Sequence, residues 1–464
     1  MSMSWTLPGF RLITMLAVVG MILSLLAQDV TARSVSEQPR GQDAALDIAT
    51  TTPIKHFVTV MQSNHSFDSL FGTYPGADGI PDGVCMKADP TDPSNDECVQ
   101  PFVLENNGAD LDHSHATFKN QYRDGQNDGF ISSFRLRGED GTLAMGQYTD
   151  ADLPFSYNVA DEYVLFDQFF TSASAGSVPN RMFWTTGTAG VGSYNQEHIP
   201  EQGWGDLPII FDYLEDAGVS WKFYIENYDP ALDFRNRGEG GTHAQINWAP
   251  ILNYARYVDD PELSSHIVDL DQYFIDIEND ELPAVSYVAT VGSSGHPPGS
   301  MLSSERMLMR MVNALMMSPA WETSAIQWAY DDWGGWYDHV VPPQIDEFGY
   351  GFRTAAQLVS PYARRGFVDS ETHDFTSILA FIEDNWSLPA LATRDREAIS
   401  IATAMDFDQQ PRAPLLLPMS RESSSLVIPS RLAIHVTYSI AILSAAGAIA
   451  GAFKFGKLSK RGQP

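Results

Sequence analysis

The sequence predicts an α/β fold, a central sheet with helices on both faces. Short apolar runs at 56–61, 282–288, 324–330 and 355–359 read as buried strands, and each is followed by polar or glycine-bearing residues. Helical patterns alternate with them at 209–217, 304–316 and 376–385. With 44% hydrophobic and 11% aromatic residues the main body can bury a large core, which excludes disorder.

Each strand exit then becomes a place to look for chemistry, because ligands of such sheets bind beyond the carboxyl ends of the strands. The first run leads into Gln62-Ser63-Asn64-His65-Ser66-Phe67-Asp68. This is either a ligand-binding turn or a helix cap supplied by Ser63 or Asn64. After Phe169–Thr171 comes a chain of small residues, Ser172 to Ser177, then Val178-Pro179-Asn180-Arg181. A serine there could attack phosphorus, with Asn180 and Arg181 as donors; a plain small-residue loop is the alternative. The run at 324–330 ends in Asp331-Asp332-Trp333-Gly334-Gly335-Trp336-Tyr337-Asp338-His339. Adjacent carboxylates at a strand end suit a hard cation, although an acidic surface turn would look similar. Gly295-His296-Pro297-Pro298 and Asp110-Leu111-Asp112-His113-Ser114-His115 are further histidine-bearing clusters.

The charge balance is 28 basic against 59 acidic residues, a net of −31. Nucleic acid is excluded as a partner, because its backbone needs basic stripes. An anionic substrate would have to be held locally, by a metal or a few directed donors. The two cysteines, Cys85 and Cys98, bracket a polar loop and are expected to form a disulfide. No Cys or His pair lies beside them at zinc spacing.

Both ends read as addresses. Arg11, the apolar run 12–27 and a small-residue exit predict a signal peptide over 1–32, followed by a flexible leader over 33–52. An uncleaved anchor is the other reading of the same pattern. Residues 432–453 carry no Asp, Glu, Lys or Arg and are followed by Lys454, Lys457, Lys460 and Arg461. This predicts a membrane-spanning helix over 432–453 with a cytoplasmic basic tail over 454–464. A stalk over 408–431 and a catalytic domain over 53–407 complete the plan. The expected location is the cell membrane, single-pass, with the catalytic domain outside.

Taken in order, these motifs resemble the phosphoesterase family of bacterial phospholipases C, related acid phosphatases and plant non-specific phospholipases C. The likeness runs from about Ile54 to Leu391. Ser63-Asn64-His65-Ser66-Phe67-Asp68 matches the family's opening Glu-Asn-Arg-Ser-Phe-Asp, and Pro179-Asn180-Arg181 matches its Pro-Asn-Arg. The segment 210–222, His296-Pro297-Pro298, Asp331 through His339, Val359-Ser360-Pro361 and Thr376-Ser377 follow in family order. The resemblance implies an alkaline-phosphatase-like three-layer sandwich around a mostly parallel sheet. It implies a metal-dependent hydrolase of phosphate esters, with phospholipids among the candidate substrates and a divalent cation as cofactor. Ser177, two positions before the proline, would be the nucleophile and would form a phosphoseryl intermediate. Asn64, Asp331 and Asp332 would hold the metal, and Arg181 would serve the phosphoryl group. His296, His339 or a histidine of the pair His113 and His115 would protonate the leaving group. Ser63, Asn180, Asp338, His373 and Asp374 are further candidates. Ser63 stands where the family has a metal-binding Glu, Asp332 where it has Glu, and Phe375 where it has His, with His373 as a substitute nearby. Two other readings compete: a catalytically degenerate member that binds a ligand or metal, and a structural or adhesive protein on the same scaffold.

Overall fold

The run His56–Gln62 is apolar except at its ends and at the central Thr59, and it is buried at all seven positions. A strand buried on both faces belongs inside a parallel sheet, where its neighbours complete every backbone hydrogen bond. The computed structural model, which describes residues 49–105, 107–190, 198–238 and 243–421, builds its main sheet around this strand. In chain order the sheet comprises β1 (His56–Gln62), β2 (Val164–Phe166), β3 (Trp221–Ile225), β4 (Ile267–Asp269), β5 (Val285–Ala289), β6 (Ser324–Tyr330), β7 (Ala356–Val359) and β8 (Phe367–Asp369). Their spatial order is β8-β2-β7-β6-β1-β5-β3-β4. β7 is antiparallel to both of its neighbours, and the other pairings are parallel. The fold is thus α/β with a large, mostly parallel sheet.

Register decides where the chemistry lands. β1 pairs with β6 from His56↔Ser324 to Gln62↔Tyr330. Both strands therefore end level, and Asp331 N donates to the Gln62 carbonyl at 3.1 Å across the exit. β5 lies on the other side of β1, with Met61 opposite Ala289. The turns after β1, β5 and β6 consequently meet at one edge of the sheet. The helix Ser177–Thr186 is buried at every position, and it is tied to β1 where Trp184 Nε1 donates to Thr59 Oγ1 at 2.9 Å. The Trp184 ring also packs on Tyr287 of β5 at 4.6 Å.

The expected domain edges shift. Residues 49–52 of the predicted leader dock on the body, with Thr52 Oγ1 donating to Asn385 Oδ1 at 2.6 Å. The described part of the predicted stalk, 408–421, also lies against the body. Trp321 Nε1 donates to the Arg412 carbonyl at 2.8 Å, and Leu417 is buried. Cys85 and Cys98 are joined, beside the pairing of Met86 with Val99. The signal peptide (1–32), residues 33–48 of the leader, the end of the stalk, the span 432–453 and the tail 454–464 lie outside the described residues.

The single-pass membrane location needs correction. Among the described residues no helix is long and apolar enough to cross a membrane. Met301–Met317, at 17 residues, falls short of the ~20 that a span requires and carries Glu305, Arg306 and Arg310. The placement of the catalytic domain outside the cell loses its support with it.

Replacing Trp184 with Ala removes a fully buried ring and its hydrogen bond at the helix–sheet contact. We expect a loss of about 3–5 kcal/mol, measured by urea unfolding.

Candidate active site

Ser177 opens a ten-residue helix whose cap, Gly176, supplies no side-chain acceptor. The first backbone N–H groups of the helix and its positive dipole end therefore face the loop that carries Ser177. Ser177 is nearly buried, at 8% exposure, and its Oγ donates to Asp332 Oδ2 at 3.1 Å. Asp332 is held in turn by Gly334 N, which donates to Oδ1 at 2.8 Å. Gly334 has φ +63°, and a Cβ there would sit 2.2 Å from the Asn64 carbonyl oxygen. Only glycine lets the turn after β6 close this tightly on the turn after β1. Asn64 Nδ2 lies 3.2 Å from His113 Nε2. Ser177, Asp332, Asn64 and His113 thus share one neighbourhood at the sheet's edge.

The electrostatics are set by burial. Loss of solvation pushes the Asp332 carboxyl up to about 7, against the pull of His113 and with the added push of Asp331. Burial also opposes charge on His113. Asp332, the Leu111 carbonyl, Asp110 and Asp331 outweigh it and raise that histidine to about 9. His65, stacked on Trp336 at 5.4 Å and fully buried, is driven down to about 3, mainly by burial and further by His296. It stays neutral and walls the site.

Two oxygens here, Asn64 Oδ1 and Ser63 Oγ, are buried without a hydrogen-bond partner. Orphaned oxygens beside the Asp332 carboxylate fit a hard divalent cation, which takes oxygen ligands and restores the missing contacts. Asp331 is less free than expected. Its Oδ2 accepts from Arg181 Nε at 2.8 Å with both side chains fully buried, and its Oδ1 accepts from Asp332 N at 2.9 Å. It meets the site already neutralised.

Several expected residues have other work. Arg181 is fully buried, and besides Asp331 it donates to the carbonyls of Trp248 (2.9 Å) and Gln62 (3.2 Å). The Asn180 amide stitches the loop before Ser177, donating to the carbonyls of Ala175 (2.7 Å) and Gly176 (3.0 Å). His115 Nδ1 braces the same loop through the Ser174 carbonyl at 2.6 Å. His339 belongs to a second cluster, where it meets Asp68 at 2.8 Å, and Arg353 bridges Asp68 (3.1 Å) and Asp338 (2.9 Å). Burial raises Asp338 to about 6 against the pull of Arg353. His373 is buried against Phe166, with Nδ1 on the Ile399 carbonyl at 3.1 Å and Nε2 3.7 Å from Asp369. Asp374 caps the helix Phe375–Trp386 through Thr376 N and faces Arg394 at 3.6 Å.

His296 does come to the site, its ring 6.0 Å from that of His113. Trp248 and Arg353 were not singled out from sequence, whereas Asp110 was, as the start of a His/Asp cluster. Trp248 backs His296 at 5.6 Å, and Asp110 Oδ1 lies 3.9 Å from His296 Nε2. The Asp-x-Asp-His-x-His pattern was a usable signal for Asp110. A lone Trp or Arg on a loop carries none.

Arg181→Ala would leave the Asp331 carboxylate buried and unpaired. It should cost about 3–5 kcal/mol in denaturant unfolding, and Arg181→Ala with Asp331→Ala should recover part of that loss.

A profile of the phosphoesterase family matches residues 54–389. Phospholipase C B of Mycobacterium tuberculosis is 30% identical over 420 residues, covering 78% of this chain and 79% of its own length. Phospholipase C A of the same organism is 28% identical over 426 residues, covering 78% and 79%. Non-specific phospholipase C3 of Arabidopsis thaliana is 22% identical over 416 residues, covering 80% and 77%. Among solved structures, a protein in the alkaline phosphatase superfamily from Vibrio parahaemolyticus overlaps at a TM-score of 0.36 and 11% identity, over 53% of this chain and 64% of that one. That overlap is too loose to carry an argument. On the profile and the relatives, the chain belongs to the phosphoesterase family.

Proposed function

We propose that this chain hydrolyses phosphate esters, phosphodiesters of the phospholipid type among them, through Ser177 on an alkaline-phosphatase-like three-layer scaffold. The observation that carries this reading is the hydrogen bond from Ser177 Oγ to Asp332 at 3.1 Å, made at a helix N-terminus.

Asn64, Asp332 and Ser177 would hold a divalent cation. When bound, it lowers the proton affinity of the hydroxyl and neutralises a phosphoryl oxygen. The chain's own residues supply the rest. Asp332 orients Ser177 Oγ and receives its proton as the new bond to phosphorus forms. The backbone N–H groups at the start of the helix stabilise negative charge on the oxygens that do not react. Arg181 cancels the charge of Asp331, which leaves Asp332 as the carboxylate facing the nucleophile. The leaving oxygen takes its proton from the side lined by His113 and His296. Water then releases phosphate, or a phosphorylated head group, from Ser177.

A second reading is a member that binds but does not turn over. It is favoured by Ser63, which stands in place of a family carboxylate. Ser177→Ala separates the two. With a chromogenic phosphodiester and added divalent metal, kcat should fall at least about 10³-fold while the unfolding curve is unchanged. Equal turnover in wild type and variant would remove Ser177 as nucleophile. No turnover in either would favour the binding reading.

A further inference from the structure

Beyond the Ser177–Asp332 centre, the described residues hold two groups of His and Asp close enough to share a cation. In the first, Asp68, Asp338 and His339, the place of a cation is taken by the buried Arg353 guanidinium. The second is Asp110, His113 and His296, whose ligand atoms all lie within 4.8 Å of one another.

Both histidines of this second group are set to bind. His113 Nδ1 lies 2.7 Å from the Leu111 carbonyl, and His296 Nδ1 lies 2.7 Å from the Pro297 carbonyl. A carbonyl only accepts, so each Nδ1 carries a hydrogen; Nε2 of His296 faces Asp110, and Nε2 of His113 lies 3.2 Å from the Asn64 amide nitrogen, which a bound cation would displace. Proteins fix ligating imidazoles in this way, through a hydrogen bond on the far ring nitrogen. Asp110 adds a carboxylate 3.9 Å from His296 Nε2. Ligands on a tetrahedral ion stand about 3.3 Å apart, so the Asp110–His296 pair must close by about half an ångström and the widest pair by up to about 1.5 Å. Asp110, at 47% side-chain exposure, is free to make that movement. Two imidazoles and one carboxylate suit a borderline dication better than magnesium or calcium, which prefer oxygen. Three protein ligands also leave a coordination position open.

We propose that Asp110, His113 and His296 form a binding site for a zinc-like divalent cation, distinct in its ligands from the Asn64, Asp332 and Ser177 set. The site stands on its own geometry and does not depend on Ser177 being the nucleophile.

The test uses the full chain, stripped with chelator and titrated with cobalt(II) and then zinc. The wild type should show the visible absorption of histidine-ligated cobalt, and zinc should displace it. Asp110→Ala and His296→Ala should each weaken zinc binding at least about tenfold. Ser177→Ala and Asp332→Asn should retain the signal. Asp110 is exposed, so its variant folds even if His296→Ala does not. Absence of the cobalt band in the wild type, unchanged zinc affinity in Asp110→Ala, or loss confined to Asp332→Asn would each overturn the proposal. Full turnover by Ser177→Ala would count against the nucleophile and leave this result untouched.

Discussion

The level ending of β1 and β6 is the constraint on which the site depends. Seven paired residues fix the register, and a slip of one would turn every side chain of a strand buried on both faces the wrong way. With the register fixed, Gln62 and Tyr330 finish side by side, and Asn64 and Asp332 leave the sheet in adjoining turns. Gly334 closes those turns together, and the Ser177 helix, anchored on β1 through Trp184, brings the hydroxyl to the same edge. No single loop makes the site; the ladder of the sheet places three separate loops at one point.

The strands that build this edge were legible because they are long, mostly apolar and fully buried. β1 and β6 appear within a residue of where their hydrophobic runs place them, and helices 210–217 and 375–386 do likewise. The outer strands were not legible. β2, β4 and β8 have three residues each, too short for a period to register. The antiparallel insertion of β7 between β2 and β6 follows from long-range pairing that local pattern does not encode.

The candidate site was legible in its residues more than in their partners. Ser177, Asn64, Asp332, His113 and His296 converge, whereas Arg181, Asn180, His115, His373 and Asp374 serve the frame around them. The difference is one of geometry. A side chain three or four residues along a helix from a nucleophile points back over the preceding turn, and Asn180 and Arg181 do so from inside a fully buried helix. A motif records that a residue is present; whether it faces substrate or scaffold depends on neighbours remote in sequence. Asp331, 150 positions from Arg181, is such a neighbour.

That ion pair also bears on how an acidic chain can handle an anionic ester. With Asp331 paired to Arg181, the carboxylates facing the nucleophile's side of the site without a buried guanidinium partner are Asp332 and the half-exposed Asp110. A net of −31 over the whole chain therefore does not translate into a strongly negative centre. Fewer anionic ligands weaken the hold on a hard cation but also reduce repulsion of the incoming phosphate. Neutral groups then gain weight: Asn64 Oδ1, Ser63 Oγ and the helix N–H groups.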